Sequence, residues 1–208
     1  MKTVQINVFD FNELNEKAKS KARDKVEILL SDDVNFILFE LFVDKLKENG
    51  FHFEDFQKAI HYSLDSCQGD GVAFYGEVDS ELLLQHLNKD FNSPECIAAL
   101  VNFPEVFTTT IEIQNKNSGY NHANSMYVNV NIEPDSDLID YVDVDRKIDC
   151  ECEIENYIGK LVIDLSNKME EEGYVLIRSM RDDSYIAEYC KEKCIMFYAN
   201  GSIYDGEL

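Results

Sequence analysis

His61-Tyr-Ser-Leu-Asp-Ser-Cys-Gln-Gly-Asp-Gly-Val-Ala-Phe-Tyr-Gly76 is the stretch whose reading decides the fold. Two short apolar-alternating runs flank a polar turn. Tyr62 and Leu64 share one strand face, Val72 and Phe74 share another, and Gly69-Asp70-Gly71 supplies backbone able to take positive φ. The pattern predicts a β-hairpin.

A second hairpin follows from Thr108-Thr-Thr-Ile-Glu-Ile-Gln114 and Ser125-Met-Tyr-Val-Asn-Val-Asn-Ile132, both alternating and rich in β-branched residues. The loop between them, Asn115 to Asn124, carries Tyr120 and His122. Near the C-terminus Asn200-Gly201 reads as a type I′ turn joining Ile195–Tyr198 to Ser202–Tyr204, and Lys2–Phe9 alternates like a further strand.

Helices interrupt these strands. Asn12 is expected to cap one with the stripe Leu14, Ala18, Ala22 and Val26, opposite the basic residues Lys17, Lys19, Lys21, Arg23 and Lys25. Acids interleave with that basic run, which reads as a solvated face. Asp32 or Asp33 opens a second, apolar-coated helix ended by Gly50. Asp79 or Ser80 starts a third helix and Glu95 a fourth; Ile154, Tyr157, Ile158, Leu161, Leu165 and Met169 mark a long one stopping at Gly173, and a short one runs through Tyr189. The expectation is a single α+β domain over residues 1–208, an antiparallel sheet built from hairpins and packed against several helices. No run of eighteen apolar residues exists, and Met1–Val8 lacks the apolar core of a signal peptide, so a cytoplasmic protein without membrane contact is expected.

The formal net charge is −22, from 41 acids and 19 bases. The first fifty residues are nearly balanced, so the excess lies in the remainder. Glu133 to Glu155 is the densest window, with ten acids against Arg146 and Lys147. Such a field repels phosphate, which excludes direct nucleic-acid binding and favours a basic partner. Asp135, Asp137, Asp140, Asp143, Asp145, Asp149, Glu151, Glu153 and Glu155 are the candidate partner-binding residues, on a solvated and partly extended surface. Asp135-x-Asp137 imitates an EF-hand opening, but the glycine at the sixth place is missing and Arg146 stands where a bidentate Glu is needed.

Gln68-Gly69-Asp70-Gly71 is a poor phosphate cradle, because a strand follows it and Asp70 repels the anion. Turn chemistry accounts for both glycines. With the hairpins adjacent, Cys67, Asp70 and His122 would converge as a nucleophile and base set; a polar loop histidine that is simply hydrogen-bonded is the plainer reading. The six cysteines, Cys67, Cys96, Cys150, Cys152, Cys190 and Cys194, read as reduced thiols. A zinc site from the 150/152 and 190/194 pairs lacks the C-x2-C spacing. No catalytic residue, metal or cofactor is expected.

Gln68, Gly69, Asp70 and Gly71, followed by an apolar-aromatic strand, resemble the signature of a family of small phage and prophage proteins, some of them labelled antitoxins of a toxin–antitoxin stability system. Phe11–Lys19, Tyr120-Asn-His122 through Met126, and Phe197-Tyr-Ala-Asn-Gly201 through Tyr204 fit the same family. The chain departs from the pattern in Cys67 where serine is expected, in lacking tryptophan, and in its acidic 133–155 insert. A phage origin and the charge together imply an inhibitor of a host defence protein, most directly an anti-CRISPR whose carboxylates stand in for phosphates in the basic channel of a CRISPR effector nuclease. An antitoxin binding its cognate toxin, and an enzyme or sponge acting on a defence nucleotide, are the alternatives.

Overall fold

The computed structural model describes residues 6–64, 69–116, 119–135 and 144–206, with the backbone alone of 144 and 145. The fold is α+β: six α-helices and two small antiparallel sheets among the described residues. Contacts divide the chain into two compact units, residues 1–38 with 173–208, and residues 39–172.

Among the described residues, the larger unit holds every strand. β1 (Ile60–Ser63) pairs antiparallel with β2 (Gly71–Phe74) in the register Ile60↔Phe74 to Ser63↔Gly71, the hairpin its alternation foretold. β3 (Gly76–Val78), β4 (Phe107–Asn115) and β5 (Met126–Pro134) form the second sheet in the order β3-β4-β5. Met126, Val128, Val130 and Ile132 of β5 are buried while Tyr127, Asn129 and Glu133 are exposed, as period-2 alternation requires. α2 (Phe56–Ala59) leads directly into β1, and α3 (Ser80–Leu87) and α4 (Glu95–Asn102) lie between β3 and β4. Asp79 caps α3 through the Leu82 amide at 3.0 Å. Among the described residues, no helix is long and apolar enough to cross a membrane.

Two helices run longer than the sequence suggests. α1 (Glu16–Glu48) passes through Ser31-Asp32-Asp33 without a break. Those residues are weak helix formers, but none is glycine or proline, and the Ser31 hydroxyl bonds back to the Ile28 carbonyl at 2.8 Å. Its stop at Gly50 is as expected: φ is +82°, Gly50 N–H donates to the Lys47 carbonyl at 3.0 Å and Phe51 N–H to that of Leu46 at 2.9 Å, a Schellman motif. The cap at the other end is Asn15 rather than Asn12, its Oδ1 accepting from Ala18 N–H at 3.1 Å, while Phe11–Glu13 form a short 3-10 turn. α5 (Val144–Met180) passes through Gly173, where a lone glycine costs about 1 kcal/mol and the apolar residues beyond continue the helix. It also claims 144–155, so this part of the acidic window is helical rather than extended.

The smaller unit is built around Phe11, Ala18, Ala22, Val26, Leu30, Ile186, Cys190 and Phe197, with α6 (Asp183–Glu192) supplying two of them. Lys2–Phe9 gives no strand in its described part: Phe9 makes a single bridge to Phe197. Asn200-Gly201 is not a type I′ turn either, because that turn needs positive φ at both central residues and only Gly201 has it, at +79°. Gly201 N–H donates to the Tyr198 carbonyl at 2.9 Å and Tyr198 N–H to that of Ser202 at 2.8 Å, which makes a three-residue loop with glycine in the left-handed place.

Candidate functional site: interlocked hairpins, an acidic groove and the edge of α5

The two hairpins meet, and glycine is what lets them. Gly69 has φ +95° and a Cβ there would lie 2.5 Å from a Tyr120 ring carbon; Gly71 has φ +152° and a Cβ there would lie 2.8 Å from the Asn121 carbonyl and 2.9 Å from His122 Cβ. Asp70 Oδ1 accepts from the Ser63 hydroxyl at 2.7 Å, closing the mouth of the first hairpin. His122 Nδ1 accepts from Asn124 N–H at 3.1 Å, which leaves the ring proton on Nε2. Ser125 Oγ donates to the His122 carbonyl at 2.7 Å. Gly69, Asp70, Gly71, Tyr120 and His122 are thus brought together, whereas Gln68 and Cys67 lie outside the described residues. In this setting the Asp70 and His122 side chains carry hydrogen bonds that hold loop backbone and hairpin mouth in shape.

The acidic candidates separate into distinct groups. Glu151 and Glu155 lie one turn apart on α5 and face the outer edge of β5. Glu151 Oε1 accepts from Ile132 N–H at 2.8 Å and Glu155 Oε1 from Val130 N–H at 3.0 Å. Lys147 Nζ stands 3.2 Å from the same Glu151 oxygen, whose side chain is 17% exposed. The two carboxylates occupy amides that an edge strand would otherwise offer to another chain. Asp149 and Glu153 are exposed, and the Asp135 N–H donates to the Val106 carbonyl at 2.8 Å. Asp137, Asp140 and Asp143, with the side chain of Asp145, lie outside the described residues.

A groove of about 890 Å³ opens between residues 52–59 and 75–79, and four acids, Glu54, Asp55, Glu77 and Asp79, line it against one base, Lys58. Phe53↔Val78 bridging and a 2.8 Å bond from Asp79 N–H to the His52 carbonyl hold its two sides in register. Asp55 caps α2 and pairs with Lys58 at 3.1 Å; hydrogen bonding to Lys58 holds its carboxyl below the usual range. Tyr75 stacks on His61 with centroids 4.1 Å apart and rings 6° from parallel. Glu77 also sits directly opposite Glu112 across the β3–β4 pair. Like charges so placed destabilise a sheet. Sequence reasoning missed this groove because its walls are joined by contacts between separate segments of the chain, Tyr75 with Ala59, Val78 with Phe53 and Asp79 with His52.

Among the described residues no group of three or more His, Cys, Asp or Glu is placed to hold a metal ion. The class that the fold defines is an α+β protein with an acid-lined surface groove. No protein-family model matches the sequence, and neither a curated protein nor a solved structure is similar to it.

Proposed function

We propose that this chain is a binding protein for a basic, nucleic-acid-handling partner, in its most specific form an anti-CRISPR that occupies the cationic channel of a CRISPR effector nuclease. The observation that carries the reading is Glu77, which lines the groove together with Glu54, Asp55 and Asp79 and is held opposite Glu112 across the β3–β4 pair. A sheet that keeps such a like-charge pair gains when arginine or lysine side chains are laid against it. The net charge of −22 acts in the same direction by steering a cationic surface into contact. Exposed Asp149 and Glu153 present further carboxylates on α5, whereas Glu151 and Glu155 serve the strand edge.

Affinity capture on effector nucleases, with salt titration, tests the reading. Binding is expected to weaken steeply between about 0.1 and 1 M salt, as the screening length falls from about 10 to about 3 Å. The triple variant Glu54→Gln, Glu77→Gln, Glu112→Gln is expected to lose at least about tenfold in affinity, equal to about 1.4 kcal/mol. Capture of no effector, or binding indifferent to salt and to these amides, removes it.

A further inference from the structure

The helix pair α4 and α5 places together two cysteines that stand 54 positions apart in the chain, Cys96 and Cys150. Cys96 is the second residue of α4, and its sulfur lies 3.9 Å from the Cys150 carbonyl oxygen and 3.8 Å from Glu153 Oε2. As a thiol it has both oxygens within donor reach. Pro94, at the cap of α4, supplies no side-chain acceptor, and its carbonyl takes the Ile97 amide at 3.0 Å, so the Cys96 sulfur sits in the first turn of the helix, at the positive end of its dipole. Both cysteines are half-buried, which leaves a small reagent a way in.

We propose that Cys96 and Cys150 form a thiol–disulfide exchange site, Cys96 attacking and Cys150 resolving, for a low-molecular-weight disulfide of the glutathione type. The Cys96 thiolate attacks one sulfur of the reagent, the reagent's S–S bond breaks, and the departing thiolate takes the proton that Cys96 gave up. The Cys150 sulfur then attacks Cys96, expelling the second reagent thiolate, which takes the Cys150 proton. Two protein thiols are oxidised and one disulfide is reduced to two thiols.

The order of roles follows from the surroundings. Hydrogen bonding with the Cys150 thiol is the largest influence on Cys96 and brings its thiol below the ordinary value against burial and Glu153. The same bond is the largest of several influences that push Cys150 upward. Once Cys96 is capped by the reagent, it is no longer an anion that favours the protonated Cys150, so the largest of these influences is removed and Cys150 gives up its proton more readily as it attacks. By contrast, burial pushes Cys190 up to about 11, an inert core thiol.

The reduced full-length protein, held in a glutathione and glutathione-disulfide buffer, quenched by alkylation and mapped by mass spectrometry without reduction, gives the test. The expected product is a peptide pair joined through Cys96 and Cys150, with loss of two hydrogens from the chain. Cys150→Ser is expected to stop at a Cys96 adduct of one glutathionyl group, and Cys96→Ser to leave Cys150 unmodified. Under alkylation alone, Cys96 should gain about threefold in rate for each unit by which its pKa falls, since thiolate fraction rises tenfold while nucleophilicity drops. A cross-link elsewhere, no cross-link, or adduct on Cys150 in Cys96→Ser overturns the proposal. The wild-type map needs no variant to fold.

Discussion

The two units solve the same packing problem with different groups. In the smaller one the chain turns at Gly201, where an added Cβ would lie 2.1 Å from the Ala18 carbonyl oxygen; in the larger one it turns at Gly71, 2.8 Å from that of Asn121. Both close approaches exclude a side chain. Around them the units diverge. The smaller unit encloses an apolar cluster and pairs its charged side chains with other side chains, Arg23 with Asp183 at 2.5 Å, Lys19 3.7 Å from Glu16, and Lys21 donating to the Ser202 hydroxyl at 2.9 Å. The larger unit turns polar groups inward to meet backbone: Glu151 and Glu155 at the β5 edge, and the buried Ser166 hydroxyl on the Val72 carbonyl. Helix ends leave backbone groups to be met, as Asn15 meets the Ala18 amide in the smaller unit, and the unit with strands has a sheet rim to cover as well.

The sharpest way to break this parallel is at the glycines. Gly201→Ala and Gly71→Ala each force a side chain into positive φ against a backbone oxygen, and each is expected to lose about 1–3 kcal/mol in urea unfolding from the dihedral alone. Gly201→Ala should be the worse, because its oxygen is nearer. Equal and negligible losses would show that neither approach constrains the fold.

Next in size is the strand edge. Glu155→Ala leaves the Val130 amide without its partner, an expected loss of about 1–3 kcal/mol, and opens β5 to pairing with another copy, visible as larger species in light scattering. Glu155→Gln keeps a carbonyl acceptor and should stay close to wild type. If alanine and glutamine variants behave alike and remain monodisperse relative to the parent, the carboxylates are not guarding the edge.

The smallest effect belongs to the surface pair. Hydrogen bonding to Arg23 holds the Asp183 carboxyl below its ordinary range. A depressed carboxyl stabilises fully above its unfolded value of about 3.9, and that contribution fades as pH falls through the lower folded value. The side chains are 30% and 42% exposed, so solvent limits the gain to under about 1 kcal/mol. The stability gap between the parent and Asp183→Asn should therefore be present at pH 7 and shrink in acid. A gap that is constant down to pH 2 would rule the pair out as its source.

Much of the architecture was legible in short stretches. Alternation in 108–114 and 125–132 specified β4 and β5, Asp79 announced α3, and Gly50 ended α1, because each signal acts through residues within one turn or one pleat of itself. Where local signals were weak, the reading erred by inventing stops: Ser31-Asp32-Asp33 and Gly173 lower helix propensity without blocking the hydrogen-bond ladder, so packing along both helices overrode them. The adjacency of Gly69 and Gly71 to Tyr120 and His122 was foreseen only as a condition, that the hairpins be neighbours.

By itself, then, the sequence determined the α+β class, the two hairpins, the stripe of α5 from Ile154 to Met169 and the acidic excess, since backbone periodicity and charge are properties of neighbours in the chain. Tertiary structure alone decided which acids face outward and which serve β5, that residues 52–59 and 75–79 frame a groove, and that Cys96 meets Cys150. Those outcomes depend on distances between segments tens of residues apart, and no local pattern records which of many apolar faces will come together to set them.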